Sequence, residues 1–388
     1  MHIHTVTPLI CHLNGRNFTF VKVVTSDGIV GYGEATNAPE ATAGAISGLS
    51  PFLVGRDPMQ IALLWQEIYQ MHHNVKGGSI FTSAMSGIEQ ALWDIKGKLL
   101  NVPVYELLGG RCWDRLRAYW GDWHRGARAP EEFAERALAA VDQGWSVLKW
   151  DPFGSAGLFI TDEEIRLAVA RVEAVRRAVG DGVELAIEAH GRLSPTNAIK
   201  VAHAIEEYRP YWFEEPVPPE NVDAMVLVAR ATRVPIATGE RLYTRWGFRE
   251  LLEKQAAAII QPDLCHAGGI LECKKIAAMA HTYYIAVAPH SPFGPLSLAA
   301  AVQLDVCTPN FLIQELGSGR LDVVKEPLEI KDGYITVPTR PGLGIELDEE
   351  RIAAHPYQWA AGDGHAIFAR EAALVPNSQV AALRPLGL

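Results

Sequence analysis

The sequence predicts an α/β protein in which an eight-stranded (β/α) barrel follows a smaller α+β domain. Short apolar runs alternate with helical patterns through the middle of the chain. The ends of these runs recur at intervals of roughly 23 to 37 residues, the size of a βα unit. Before this repeat, alternating β runs come first and helical patterns follow, without a βα repeat. The chain has 388 residues, which is enough for one large domain and a smaller one.

The first predicted domain covers residues 1–112 and begins with three alternating β runs. Two of them, "FTFVKVVT" and "IVGYGEA", flank Ser26-Asp27-Gly28, a sequence typical of a hairpin turn. From about residue 39 to 108, apolar residues recur at three- and four-residue spacing, which favours helices. This combination predicts a compact α+β unit.

The predicted barrel covers residues 113–320. Its eight apolar runs are typical of strands that are buried on both faces, as in a parallel sheet covered by helices. Thr161 to Glu164 form a capping box before one helical pattern, and Ser194-Pro195 precede another. Every run ends in an ionisable residue: Asp122, Asp151, Glu188, Glu214, Glu240, Asp263, His290 and Glu315. In a barrel of this type, such residues form the active site.

The barrel period stops at about residue 320. The segment "LEIKDGYITVPTRPGLGIEL" alternates again, with Asp332-Gly333 as a turn. We expect residues 321–388 to return to the first domain and pack on it.

Charge and composition exclude several classes of partner. A net charge of −10 and a pI near 5.7 argue against nucleic acid or an anionic membrane. No apolar run reaches the roughly 20 residues that a membrane span needs. The five cysteines are scattered and form no CxxC pair, which favours reduced thiols and a cytoplasmic protein.

Three carboxylates at equal spacing indicate a metal site. The same interval of 26 residues separates Glu188 from Glu214 and Glu214 from Glu240. On neighbouring strands, these acids would meet at one rim and resist ionising together. A hard divalent cation relieves the repulsion, and all-oxygen ligands suit Mg²⁺ better than Zn²⁺. A helix cap or surface charge explains any single acid equally well, but not three at this spacing.

Two histidines are candidates for proton transfer. His290 and Asp263 end consecutive predicted strands, and a carboxylate beside an imidazole fixes its tautomer and raises its basicity. His190 lies two residues after Glu188, so strand alternation predicts that both point to one face. A buried structural histidine is the alternative for His290, and a helix cap or solvated side chain for His190. Lys149 and Asp151 are either ionisable groups of the active site or partners in an ion pair at the barrel rim.

These residues resemble the enolase superfamily, in which a separate α+β domain precedes the same ordered set of acids and histidine. More narrowly, the chain is similar to the mandelate-racemase-type acid-sugar dehydratases, the D-gluconate and D-galactonate dehydratases among them. The resemblance covers residues 1 to about 350. The motifs that carry it are "KWDPFG", "IEAHGR", "FEEPV", "ATGERL", "IIQPDLCHAGGI", "APHSPFGP" and "RPGLGI".

The resemblance implies a modified TIM barrel of (β/α)7β type, capped by the N-terminal domain, in a protein that forms a homo-oligomer. Glu188, Glu214 and Glu240 would bind one Mg²⁺ and, through it, the carboxylate of a sugar acid such as gluconate or galactonate. The first ligand is often Asp in this family, whereas here it is Glu. Loops near residues 14–17 and 72–78 would form a lid or plain surface loops.

The resemblance also implies roles for the other site residues. His290, oriented by Asp263, would remove the proton α to the carboxylate and give an enediolate. His190 would protonate the departing 3-hydroxyl, so that a 2-keto-3-deoxy acid results. Glu315 would hydrogen-bond the substrate or intermediate. Arg192 and Arg241 would hold hydroxyls or ligand carboxylates, or would form rim salt bridges.

Two other functions remain open at this stage. One is a racemase, epimerase or cycloisomerase acting on a sugar acid or lactone on the same scaffold. Racemases carry Lys-x-Lys on the second strand, where this chain has Lys149 and Asp151, which disfavours that alternative. The other is a binding protein without turnover, against which the complete set of ligands and base residues argues.

Overall fold

The computed structural model describes residues 1–74, 77–317 and 322–358. The chain begins with a three-stranded antiparallel sheet in the order β1-β2-β3. These strands are β1 (Ile3–Leu13), β2 (Arg16–Thr25) and β3 (Val30–Ala35). Four helices follow: α1 (Pro39–Leu53), α2 (Ile61–Met71), α3 (Ser79–Leu100) and α4 (Val104–Leu107).

Glycines let the N-terminal sheet approach α3 closely. A Cβ atom on Gly33 of β3 would lie 2.0 Å from the carbonyl oxygen of Gly87 in α3. A Cβ atom on Gly31 would lie 2.1 Å from the carbonyl oxygen of Ala91. No side chain fits at either position, so the strand and the helix are in direct backbone contact.

We expect Gly33→Ala to lower the free energy of unfolding by about 2 kcal/mol, because a methyl group there forces the strand and the helix apart. Gly44→Ala is the matched control, since Gly44 lies within α1 and has no neighbouring atom within 4 Å of the added methyl group. Alanine should leave stability unchanged or raise it slightly there. Urea unfolding of both variants measures the difference, and equal midpoints would contradict the close-contact argument.

Eight parallel strands then form a closed barrel. Neighbouring strands pair in chain order, β11 pairs with β4, and a bridge between Val287 and Phe311 joins the last two strands. The strands are β4 (Arg115–Trp120), β5 (Val147–Trp150), β6 (Glu184–Glu188), β7 (Trp212–Glu214), β8 (Ile236–Thr238), β9 (Ile259–Ile260), β10 (Ala286–Val287) and β11 (Gln314–Leu316).

Seven helices of the described chain connect these strands, which gives the predicted (β/α)7β architecture. They are α5 (Pro130–Asp142), α6 (Asp162–Val179), α7 (Pro195–Ile205), α8 (Val222–Ala231), α9 (Thr244–Glu253), α10 (Ile270–Thr282) and α11 (Pro295–Val306). No described helix is both long and apolar enough to cross a membrane.

Local capping starts two of these helices where the sequence predicts. Thr161 Oγ1 accepts a hydrogen bond from the Glu164 backbone N–H, and the Glu164 carboxylate accepts one from the Thr161 N–H, which completes the capping box before α6. Ser194 caps α7 through the Asn197 N–H, and Pro195 occupies the first helical position. These starts fix where the chain leaves the barrel rim.

The barrel interior is filled by side chains. Tyr119 and Trp212 are fully buried there and meet edge to face, with ring centroids 5.4 Å apart. They belong to a cluster with Val147, Ala186 and Ala237. A filled interior leaves the carboxyl ends of the strands as the place for a site.

The C-terminal segment contacts both parts of the chain. Its hairpin, β12 (Ile330–Lys331) and β13 (Tyr334–Thr336), turns at Asp332-Gly333 and pairs antiparallel with the start of β4. The chain then reaches the N-terminal helices, where Gly342 accepts a hydrogen bond from the Val104 N–H. Helix α12 (Glu349–Ala354) ends the described segment.

The hairpin therefore lies on the barrel, whereas only the chain after it lies against the N-terminal helices. The reason is that the first half of β4 extends beyond its parallel neighbours and offers unpaired backbone groups, which β13 satisfies. Residues 318–320 at the end of the predicted barrel, residues 321 and 359–388 of the expected return segment, and residues 75 and 76 of one expected lid loop lie outside the described residues. The domain limits at 112 and 320 stay a prediction.

Two buried glutamates dock the N-terminal helices and sheet onto the barrel rim. Glu34 of β3 accepts hydrogen bonds from the Gly294 and Ser297 N–H groups at the start of α11, at 2.6 and 2.9 Å. Glu89 of α3 accepts two from Ile270 and Leu271 at the start of α10, at 2.7 and 2.9 Å. Burial raises the pKa of Glu34 to about 8 and that of Glu89 to about 7, and it outweighs the N–H groups of each helix N-terminus, which lower the pKa of the carboxyl group that they contact. The N-terminal part thus covers the carboxyl ends of the strands.

Candidate active site

A cavity of about 1290 Å³ lies between the carboxyl ends of the barrel strands and the N-terminal part. Residues from both sides line it, among them Arg16 and Asn37 from the N-terminal part and Asp263 from the barrel. Glu188, Glu240, His190, His290 and Glu315 line it as well.

The three predicted ligands converge at this cavity. Glu188 and Glu214 are the last residues of β6 and β7 and are paired in register. Glu240 follows β8 by two residues. One carboxylate oxygen from each residue lies within 4.8 Å of the other two. The equal sequence spacing therefore becomes a compact group of three oxygen donors.

The electrostatics of this group favour a divalent cation. Burial, followed by the charge of Glu188, raises the pKa of Glu214 to about 7. Burial also raises the pKa values of Glu188 and Glu240, but nearby positive groups outweigh it and lower both pKa values overall. These groups are His190 and Lys149 for Glu188, and His290 and Arg241 for Glu240. The raised pKa of Glu214 indicates that the positive groups of the protein only partly offset the repulsion within the set, and a cation bound there would offset more of it. Their oxygen-only donor set fits a hard cation.

Lys149 supplies part of that charge. Its Nζ atom lies 2.9 Å from Glu214, 3.3 Å from Glu188 and 2.9 Å from Glu315. The ammonium is buried in the barrel interior, and the carboxylates around it raise its pKa well above the usual value despite the opposing effect of burial. Lys149 thus forms ion pairs with two of the predicted ligands and with Glu315, a role that the sequence spacing alone left open.

His290 and Asp263 form the expected pair. Their residues bridge in parallel at the ends of β9 and β10, and His290 Nδ1 lies 2.7 Å from Asp263 Oδ2. The other Asp263 oxygen accepts from the Cys265 N–H at 2.7 Å, which fixes the carboxylate. Nε2 of His290 lies 3.4 Å from Glu240 and 3.9 Å from Glu315.

The charges around His290 make it strongly basic. Burial lowers the pKa of His290, but the negative charges of Glu240, Glu315 and Asp263 raise it to about 10. A cation bound among Glu188, Glu214 and Glu240 would offset part of that negative charge and so would favour the neutral imidazole that a base requires.

His190 forms a second histidine–aspartate pair. Its Nδ1 atom lies 2.8 Å from Asp151 Oδ2, and its backbone N–H donates to Glu188 Oε1 at 2.6 Å. Strand β6 ends at Glu188, and His190 has a left-handed backbone with φ of 52°. A tight turn, and not strand alternation, therefore directs this imidazole. Asp151 directly follows β5, which is the neighbour of β6. The order of the strands could therefore have predicted that Asp151 lies close to His190.

The remaining predicted residues have clear partners. Glu315, on β11, accepts a hydrogen bond from the Ser291 N–H at 2.8 Å through the oxygen that does not contact Lys149. Arg241 pairs with Glu215 at 2.6 Å and approaches Glu240 at 3.5 Å. Arg192 forms an ion pair with Asp151. Both arginines thus form ion pairs, and Arg241 also lies beside the predicted ligand Glu240.

A (β/α)7β barrel under an N-terminal α+β cover, with three acids and a histidine–aspartate pair at its rim, defines an enolase-type protein. Residues 132–351 match the enolase C-terminal domain-like family, and residues 7–109 match the N-terminal domain of the mandelate racemase / muconate lactonizing enzyme family. The chain belongs to the mandelate racemase and muconate lactonizing enzyme family of the enolase superfamily.

Named relatives narrow the comparison. The chain is 41% identical over 360 residues to a D-galactonate dehydratase from Ralstonia pickettii, which covers 89% of this chain and 93% of the relative. A D-galactonate dehydratase from Verminephrobacter eiseniae is 39% identical over 359 residues, with 89% and 93% covered.

Solved structures agree with this assignment. An enolase-superfamily member from Salmonella Typhimurium superposes with a TM-score of 0.88 at 36% identity, covering 92% of this chain and 98% of that one. A mandelate racemase/muconate lactonizing enzyme from Sulfitobacter sp. gives 0.89 at 37% identity, covering 93% and 97%.

Proposed function

We propose that the protein is a Mg²⁺-dependent sugar-acid dehydratase that converts an aldonic acid, such as galactonate or gluconate, into a 2-keto-3-deoxy acid. The observation that carries this proposal is the presence of two histidine–aspartate pairs beside one group of three carboxylates. Loss of water from a sugar acid needs one group to take a proton from carbon and another to give a proton to oxygen. The similarity to D-galactonate dehydratases supports the same reaction class.

Glu188, Glu214 and Glu240 would hold the cation. When bound there, Mg²⁺ supplies positive charge next to the substrate carboxylate, which makes the α-proton more acidic. Lys149 keeps two of these carboxylates and Glu315 at fixed distances, so the donor set is formed before the substrate arrives.

His290 is the base. Asp263 accepts the Nδ1 proton of the ring, which leaves the Nε2 lone pair free to accept the proton from C2 of the acid. The C2–H electron pair then moves toward the carboxylate. Glu315, held by Lys149 and the Ser291 N–H, lies near Nε2 and stabilises the imidazolium that forms.

His190 is the acid. Asp151 accepts its Nδ1 proton, so Nε2 is directed away from Asp151 and can deliver a proton to the 3-hydroxyl. As the C3–O bond breaks, the electron pair from C2 forms the C2–C3 double bond, and water leaves. The resulting enol tautomerises to the 2-keto acid.

The isomerase alternative is disfavoured by the contacts of Lys149 and Asp151. A racemase or epimerase needs a second group that delivers a proton to carbon. Lys149 is engaged by three carboxylates, and Asp151 by His190 and Arg192. His190 can protonate a leaving hydroxyl only if the substrate carries a hydroxyl group on C3 near this histidine. The keto-acid assay below tests this directly.

A substrate panel tests the proposal. We expect the protein with Mg²⁺ to form a 2-keto acid from at least one aldonic acid in a panel that includes galactonate and gluconate. EDTA should reduce the rate by at least about a hundredfold, because the acids then repel one another and the substrate carboxylate lacks its partner. Added Mg²⁺ should restore activity, whereas Ca²⁺, which prefers more ligands and longer bonds, should restore much less.

Absence of keto acid across the panel would contradict the lyase assignment. Proton exchange at C2 in deuterated water, without keto acid, would point to an isomerase instead. Full activity in EDTA would contradict the metal site. The homo-oligomer and the cytoplasmic location stay predictions.

A further inference from the structure

Besides the predicted metal site, the cavity is lined by a second cluster of polar side chains, centred on His266. This cluster connects the barrel to the N-terminal part. His266 lies three residues after Asp263, and its Nδ1 atom is 2.7 Å from the Asn37 side-chain amide. Ser83 Oγ lies 3.2 Å from the same nitrogen, and the Tyr243 ring stands 4.3 Å from the imidazole centroid. His266, Asn37 and Tyr243 all line the cavity.

These contacts set the hydrogen-bonding character of His266. An amide nitrogen can only donate, so Nδ1 of the ring accepts from Asn37 and the ring proton lies on Nε2. Among the described residues, Nε2 of His266 has no hydrogen-bond partner, although the residue as a whole is only 7% exposed. Burial, with a smaller effect from the charge of His290, lowers the pKa of His266 to about 3, so the ring stays neutral. The result is a fixed N–H donor at the cavity wall.

The backbone that carries Asn37 supports a functional placement. Asn37 and Ala38 have left-handed backbones, with φ of 62° and 32°, directly before α1. This conformation is costly for alanine and tolerated by asparagine. Asn37 also donates to Ser83 of α3 at 3.1 Å, so the amide is held from the N-terminal side while it orients a ring on the barrel side.

From this geometry we propose that His266, held by Asn37, is a specificity-determining residue that donates a hydrogen bond to a substrate hydroxyl beyond C3. The inference rests on the proposed function, because it takes a polyhydroxy acid as the substrate. The carboxylate end of the acid lies at the ligand carboxylates and C2 lies at His290. The remaining hydroxyls then occupy the rest of the same cavity, whose lining includes His266, Asn37 and Tyr243.

The test pairs variants with deoxy substrates. Using the Mg²⁺-loaded enzyme, kcat/KM is measured on the preferred six-carbon aldonic acid and on its 4-, 5- and 6-deoxy analogues. We expect the wild type to lose about tenfold or more on one analogue, the size expected when a buried donor loses its acceptor. His266→Phe should lose a similar factor on the full acid and nothing further on that analogue. The other two analogues should affect both enzymes equally.

Two further variants keep the result interpretable if His266→Phe folds poorly. His266→Gln retains an N–H donor and should recover part of the discrimination. Asn37→Gly, in which glycine tolerates the left-handed backbone, should weaken discrimination at the same hydroxyl only, because His266 Nδ1 then loses its closest donor and keeps only the longer contact with Ser83. His203→Phe, on the outer face of α7, is the matched control and should behave as wild type.

The outcomes separate this inference from the proposed function. If wild type and His266→Phe lose the same factor on every analogue, the inference is wrong while the dehydratase assignment stands. If the wild type converts none of the acids, their dissociation constants are measured calorimetrically on the same variants. The same coupling in binding then supports the inference without the dehydration step, and failure of all acids to bind overturns both.

Discussion

Replacing His290 by asparagine is expected to lower kcat/KM for keto-acid formation about a thousandfold or more, the upper part of the range for a general base. Asparagine retains a polar contact to Asp263 but cannot accept a proton at neutral pH. Exchange of the C2 proton with solvent deuterium should fall by the same factor, because both processes need the same proton transfer. A coupled assay and proton NMR in deuterated water measure the two rates.

The variant should still bind Mg²⁺, since none of the three ligand carboxylates changes. His281→Asn on α10 is the matched control, as that histidine is exposed and lies outside the cavity. Calorimetry of Mg²⁺ binding and thermal unfolding separate loss of the base from loss of the fold. Exchange at the wild-type rate in His290→Asn would assign the base to another group.

The sequence predicted the convergence of Glu188, Glu214 and Glu240 and the His290–Asp263 pair because strand order determines both. In a parallel barrel, residues at the ends of successive strands become neighbours, so a regular spacing along the chain translates directly into proximity. Glu188 and Glu214 are paired in register, and Asp263 bridges His290. Local periodicity and adjacency are enough for such contacts.

Contacts that depend on turns could not be predicted this way. His190 is directed by a left-handed turn, which a period-two pattern does not encode. Its partner Asp151 lies 39 positions earlier, on the preceding strand end. Lys149 points to the barrel interior, where its three partners come from three different strands. The residue types were conspicuous in the sequence, but their pairing required coordinates.

Contacts between the N-terminal part and the barrel were harder still. Asn37 and His266 are 229 positions apart, and no periodicity relates them. Their meeting depends on how the two parts dock, which Glu34 and Glu89 fix by capping α11 and α10. The C-terminal hairpin is a similar case, because the unpaired edge of β4 that it covers exists only in the folded barrel. Docking is a property of whole surfaces and not of short segments.

Replacing His190 by asparagine is expected to separate the two halves of the reaction. Loss of water should slow by about a hundredfold to ten-thousandfold, the range for a general acid, while C2 proton exchange continues. Exchange continues because His290 and Asp263 remain intact and the substrate can still lose its α-proton. Loss of water slows because the 3-hydroxyl would have to leave as hydroxide, without a proton from His190. Exchange without keto acid in deuterated water is the diagnostic result.

Asp151→Asn provides the graded comparison. It removes the negative charge that fixes the His190 tautomer but keeps the side chain's size, so it should slow the same step by a smaller factor than His190→Asn and leave exchange unchanged. Because Arg192 would then lack its ion partner, thermal unfolding is measured in parallel. Normal keto-acid formation by His190→Asn would remove this histidine from the mechanism. Loss of exchange together with dehydration would instead place it at the first proton transfer, which is the behaviour expected of an isomerase with bases on both faces of C2.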